Sequence, residues 1–145
     1  MARYQKIVDL HFTEAGDFTL GENGDIKDTT GIPYRGFIQR VLTRVMASKG
    51  DWILEPLLGV SLNSFVGQPN TKATATKIRD RIVGELLKED LIRGSELLVD
   101  IFPIANNAIA IAVIISPGGS GRQVNLVFTY DMRDNKLIPR NVRSR

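Results

Sequence analysis

Few residues of this chain have the types and spacing that chemistry needs. There is no cysteine and a single histidine, His11, so disulfides, thiolate nucleophiles and thiolate metal sites are excluded. A lone imidazole also lacks a second ligand or a triad partner, and His11, between Leu10 and Phe12, reads as part of an N-terminal strand or arm. Glu55 with Asp25 or Asp28 offers carboxylates for acid/base cleavage of a glycoside. That chemistry needs two carboxyls flanking a concave site with their pKa values driven apart, which spacing alone does not supply. Gly118-Gly119-Ser120-Gly121 has the composition of a phosphate cradle. It joins two predicted strands with no helix N-terminus after it, so a hairpin loop is expected. No catalytic residue, metal site or cofactor is assigned.

The most specific element is Trp52-x-x-Glu55-Pro56-x-x-Gly59-x-x-Leu62, within the stretch from Gly24 to Leu62. Pro56 biases Glu55 toward extended backbone, and Gly59 permits a sharp second bend. A carboxylate held in such an apolar, turn-rich frame suits recognition of a basic or amide partner. Two roles stay open for Trp52: a plug for the core between helices, or a contact for another protein.

The surrounding elements follow from periodicity. Phe18 and Leu20 alternate with Asp17 and Thr19, and Asn23-Gly24 marks a hairpin turn leading to Asp25-Ile26. A first helix is expected after Thr29 or Thr30 with Pro33 in its first turn. It buries Ile38, Val41, Leu42, Val45 and Met46, turns Arg35, Gln39, Arg40, Arg44 and Lys49 outward, and stops at Gly50. A second runs from about Thr71 to Ile92, capped by Asn70 or Thr71 and ended by Gly94, with Ala75, Ile78, Ile82, Val83, Leu86 and Leu87 inside. Its charges form a solvated face with weak pairs such as Arg81 with Glu85. Three strands follow: 96–104, in which Pro103 marks a bulge, edge or end; 108–116, apolar on one face and alanine-rich on the other, placed centrally; and 123–130, with Val124, Leu126, Phe128 and Tyr130 inward. Neither an internal repeat nor a low-complexity segment is read.

The whole is an α+β domain: a small antiparallel sheet, made of an N-terminal hairpin and a C-terminal three-stranded meander, packed by two amphipathic helices. A chain of 145 residues buries roughly 68–70% of its unfolded surface, enough for one core. One domain, 1–145, is therefore expected, with an N-terminal arm (1–16), a body (17–130) and a C-terminal tail (131–145). The net charge of +3 resides in that tail, where Arg133, Lys136, Arg140, Arg143 and Arg145 face Asp131 and Asp134. A balanced body with a basic tail is not a nucleic-acid-binding domain. No apolar run suggests a membrane span or a signal peptide, so synthesis in the cytosol is expected.

The order Gly24-Asp25-Ile26, a Gly31-led helix with Gln39 and Arg44, then Gly50-Asp51-Trp52-x-x-Glu55-Pro56-x-x-Gly59 resembles the gene-25-like family of small baseplate wedge proteins. These belong to contractile-tailed bacteriophages, with relatives in type VI secretion systems, and the resemblance spans roughly residues 17 to 130. It implies a structural role in the virion, in the tail baseplate. Its members bind the helical core bundle of the larger wedge subunits, resemble the conserved domain of the tail sheath protein and template the first sheath ring; hub or tube proteins are further candidate partners. The family's Glu-Pro-Arg signature falls on Glu55-Pro56-Leu57, so Glu55 and Pro56 carry over and the guanidinium does not. The resemblance implies partner-binding roles for Glu55 and Pro56; the loop reading adds Trp52 and Leu57, and Arg133, Lys136 and Arg140 of the tail are candidates for exchange with sheath or wedge subunits. Some members are labelled lysozyme-like, which makes a peptidoglycan hydrolase using Glu55 the alternative.

Overall fold

The computed structural model describes residues 7–13, 17–118 and 123–144. The alternating pattern after residue 96 becomes four antiparallel strands, β1 (Leu97–Ala105), β2 (Ala108–Ile115), β3 (Val124–Asp131) and β4 (Lys136–Ser144), in that spatial order. Ile109, Ile111, Val113 and Ile115 of β2, and Val124, Leu126, Phe128 and Tyr130 of β3, are at most 1% exposed. A period of two collects them on one face, where each large side chain contributes roughly 1.5–3 kcal/mol by leaving water. β2 is interior to the sheet, as its apolar composition requires. The register of β1 breaks between Pro103 and Ala105, where Pro103 has no N–H to give the ladder. Of the loop after β2, residues 119–122 lie outside the described residues, as do residues 1–6 and 14–16 of the arm.

The basic tail is corrected by β4. Rather than trailing from a three-stranded meander, Lys136–Ser144 pairs with β3 from Asp131↔Lys136 to Val124↔Ser144. The reversal is built by Asp131, whose carboxylate accepts from the N–H groups of Arg133 (2.8 Å) and Asp134 (3.1 Å) and from Asn107 Nδ2 (2.9 Å). Those donors, the Asp134 and Arg133 N–H groups foremost, hold its pKa below the usual carboxylate range. Pro139 and the register break opposite Val127 and Phe128 place Arg140 at a bulge on the sheet's edge. An edge strand tolerates proline and uses positive charge to discourage further pairing.

Two helices, α1 (Arg35–Met46) and α2 (Lys72–Leu87), close the core. Phe37, Val41 and Val45 of α1 and Ile78, Ile82 and Leu86 of α2 are no more than 1% exposed. α1 begins later than expected: Pro33 precedes it, and buried Tyr34, in the left-handed region at φ 62°, sets the entry. Met46 lies half-exposed despite its place in the apolar stripe. Thr71 caps α2 by accepting the Thr74 N–H. The helix stops at Leu87, short of Ile92, because Glu89 and Asp90 turn left-handed and bring Leu91 and Ile92 back into the core.

The N-terminal segments do not join this sheet. Isolated bridges pair Phe12 with Phe18, Leu20 with Ile26 and Leu10 with Asp28. His11 N–H donates to Lys27 O (2.8 Å), Lys27 N–H to Thr19 O (2.9 Å) and Thr19 N–H to His11 O (3.1 Å), a closed ring of three. Around it Thr13 donates to Asp17 O, Gly21 to Asp25 O and Thr29 to Asp9 O, each at 2.8 Å. The donors recur every eight residues because the sequence does. Asp9-Leu10, Asp17-Phe18 and Asp25-Ile26 each open a segment ending in Gly16, Gly24 or Gly31. This threefold repeat corrects the reading of a simple hairpin without repeats. The three segments form a small triangle rather than a ribbon.

Candidate docking site

The segment 48–61 is a built loop. Gly50 N–H donates to Pro56 O (2.8 Å), Glu55 N–H to Trp52 O (3.2 Å) and Leu58 N–H to Glu55 O (3.1 Å), so two tight turns flank Trp52 and Pro56. Asp51 Oδ2 accepts the Ser48 N–H (2.8 Å), and Ser61 Oγ accepts the Lys49 N–H (2.7 Å). The exit strand returns alongside the end of α1, with Val60 N–H donating to Arg44 O and Ser61 N–H to Ala47 O. Gly59 fits that return only as glycine: its φ is 121°, and a Cβ there would run into the backbone carbonyl of Ala47. Gly59→Ala is expected to cost about 1–3 kcal/mol, read as a lower midpoint in chemical unfolding.

Two charged residues that helical spacing assigned to solvent join the loop, α1 and α2: Glu85 bonds the loop and Arg44 bonds the end of α2. Glu85 is 4% exposed. Its Oε1 accepts the Gly59 N–H (2.8 Å) and its Oε2 pairs with Lys88 Nζ (2.8 Å). Burial pushes the Glu85 pKa up, but the Lys88 ammonium, the Gly59 N–H and the nearby Arg44 charge outweigh it and hold the pKa below the ordinary value. Arg44, 9% exposed, donates Nη1 to the carbonyls of Glu85 (3.1 Å) and Lys88 (2.8 Å) and Nη2 to Glu89 (2.9 Å). It thus gives a second donor to carbonyls at the end of α2, where Glu85 O also takes the Lys88 N–H and Lys88 O the Leu91 N–H. The expected pair of Arg81 with Glu85 is replaced: Arg81 stacks over Phe65 at 4.6 Å and donates to Ser61 O and Ser64 Oγ. Gln39, also assigned outward, is buried, clasping the backbone of the N-terminal triangle through Leu10 O (2.7 Å) and the Phe12 N–H (2.9 Å).

What the frame presents is apolar and largely in water. Trp52 is 52% exposed, Leu57 71%, Ile53 94% and Leu54 95%. Trp52 is therefore not a core plug. The Glu55 carboxylate is exposed beside a cleft of about 330 Å³ shared by Pro56, Leu57, Leu58 and the Arg44–Glu85–Lys88–Glu89 charges. Arg133, Lys136 and Arg140 do not line this cleft: Arg133 sits on the β3–β4 turn, and Arg140 Nε reaches Thr129 Oγ1 (3.0 Å) across the sheet. Ile53 and Leu54 were missed as candidates, although two large apolar residues inside a turn-rich segment were a visible signal.

Comparison with family models, with curated proteins and with solved structures found no match. The site must be judged on its own geometry. Among the described residues no group of three His, Asp or Glu side chains is placed to hold a metal ion, and no helix is long and apolar enough to cross a membrane. A rigid frame carrying exposed tryptophan, isoleucine and leucine around a carboxylate has the composition of an interaction hot spot.

Proposed function

We propose that this chain is a structural docking protein, a wedge component of a contractile-tail baseplate in the virion. Its 52–57 loop seats on the helical core bundle of larger wedge subunits, and the domain templates the first tail sheath ring. The observation that carries the reading is the loop itself: Trp52, Ile53, Leu54 and Leu57 are held out into solvent by hydrogen bonds to both helices. Apolar groups fixed in water gain most when a partner covers them, and a preformed loop spends little ordering entropy on binding. The resemblance over Gly24 to Gly59 supplies the identity of the partner, and Glu55 gives it a basic or amide group to recognise.

The test is co-purification with the wedge subunits encoded beside it. Ile53→Ser with Leu54→Ser should leave the unfolding midpoint unchanged, since both side chains already stand in water. It should weaken the complex by about 3–6 kcal/mol, the transfer free energy of two large side chains, which abolishes co-purification. Retained binding by this variant would remove the loop from the interface. Peptidoglycan cleavage by the unmodified chain that is lost in Glu55→Gln would select the hydrolase instead.

A further inference from the structure

We propose that the N-terminal triangle carries a second, independent docking face, built for a basic amphipathic helix of a partner protein. Residues paired across the triangle's three seams point to the same side, and so do alternate residues along each segment. One side therefore collects Leu10, Phe12, Phe18, Leu20 and Ile26 together with Asp28. Four of the apolar five stand open: Leu10 is 42% exposed, Phe18 54%, Ile26 54% and Leu20 67%. Phe12 and Phe18 stack at 4.7 Å within the patch. The polarity is inverted for a small β-unit. Backbone hydrogen bonds close the triangle on itself, and what holds it to the body is Gln39 and Arg35 of α1 on the backbone of Leu10 and Phe12, with Ile7 against the core. Contiguous exposed apolar surface of this kind marks an interaction site.

Charge decides the occupant. Residues 7–31 contain six carboxylates against the single Lys27, and five of them, Asp9, Asp17, Glu22, Asp25 and Asp28, belong to the described segments. None of these five forms an ion pair among the described residues. Asp28 lies on the apolar side and the same alternation puts Asp9, Asp17 and Asp25 on the reverse, so the negative charge belongs to the small unit as a whole; within roughly 10 Å, about one screening length, its field repels anionic membranes and nucleic acid and attracts lysine and arginine flanking an apolar stripe. With segments spaced as β-strands, the patch is roughly 10 Å across, the width of one helix. A second copy of this chain has no such helix to offer, because the apolar stripes of α1 and α2 are already in its core and β4 is paired in its sheet.

The experiment titrates the isotopically labelled full chain with three probes: a leucine–lysine amphipathic helical peptide, its leucine–glutamate twin, and phosphatidylglycerol vesicles. The lysine peptide should perturb amides of residues 10–13, 17–21 and 25–28 and bind more weakly as salt rises, while the twin and the vesicles should not bind. Leu20→Ser with Ile26→Ser should lower affinity by about tenfold or more and leave the unfolding midpoint and the wedge-subunit complex intact. The proposal is overturned by absent lysine-peptide binding, by perturbations confined to other surfaces, by equal binding of the twin, by vesicle binding, or by full affinity in the double variant. It is equally overturned by a concentration-dependent dimer that the double variant abolishes, which would assign the face to a second copy.

Discussion

Glu85→Ala is expected to destabilise the fold by about 1–3 kcal/mol, the cost of leaving the buried Gly59 N–H without its acceptor, since the Lys88 partner is itself half-exposed. The carboxylate ties the loop, through Gly59 N–H, to α2 while pairing with Lys88. Its loss strands a buried N–H and leaves the Arg44 guanidinium with less negative charge to face. Against a total stability of roughly 5–15 kcal/mol such a change is large. Glu85→Gln keeps an acceptor for Gly59 and should cost less. The pH dependence has a definite sign. Because the folded pKa of Glu85 is depressed, its stabilisation is complete above the unfolded value of about 4.3 and is lost as pH falls through the folded one. Asp28 and Asp131, also depressed by backbone N–H donors, titrate in the same sense in every variant. The difference between the unmodified chain and Glu85→Gln should therefore narrow on acidification; a difference that stays constant would show that the charge of Glu85 does not matter. If the proposed docking role holds, wedge-subunit binding should also fall in Glu85→Ala, although no residue from 52 to 57 is altered.

That central role was within reach of helical arithmetic. Ile78, Ile82 and Leu86 define the buried stripe of α2, and position 85 lies three residues after Ile82, at the stripe's margin. Charge alone sent it outward in the sequence reading, because a partner such as Gly59 N–H, twenty-six residues away in sequence, leaves no periodic trace. The strands β2 and β3 were legible since an alternating apolar code has one solution when one face is buried. Trp52, Glu55, Pro56 and Gly59 were legible as a loop because proline and glycine punctuate locally, but the exposure of Trp52 depends on where two helices end. The N-terminal repeat escaped because its hydrophobic positions vary and its period spans only eight residues. The edge strand escaped for the opposite reason: proline and three basic residues in 136–144 are the features of a solvated tail, and they are also how an edge strand protects itself.

Deletion of residues 136–145 is accordingly expected to abolish the native fold, where a solvated tail would be dispensable. The truncation removes β4 whole and leaves the N–H and C=O groups along one side of Val124–Asp131 without partners. It also removes Leu137, which packs against the core, and stops just after Asn135, whose Oδ1 accepts from the Tyr130 hydroxyl (2.9 Å). Its single proton is shared with Leu62 O (2.7 Å), which joins the sheet to the segment that follows the 48–61 loop. Burial raises the Tyr130 pKa, in keeping with a neutral phenol held between two acceptors. Unpairing an apolar strand such as β3 exposes an edge that templates association. The truncated chain should therefore appear in the insoluble fraction, or as a species without near-ultraviolet circular dichroism from its aromatic residues. Lys136→Gln with Arg140→Gln, by contrast, keeps the strand and removes two of its guarding charges; it should fold with an unchanged midpoint and aggregate more readily at high concentration. A truncated chain that remained monomeric, with a cooperative transition at the full-length midpoint, would return residues 136–145 to the status of a tail.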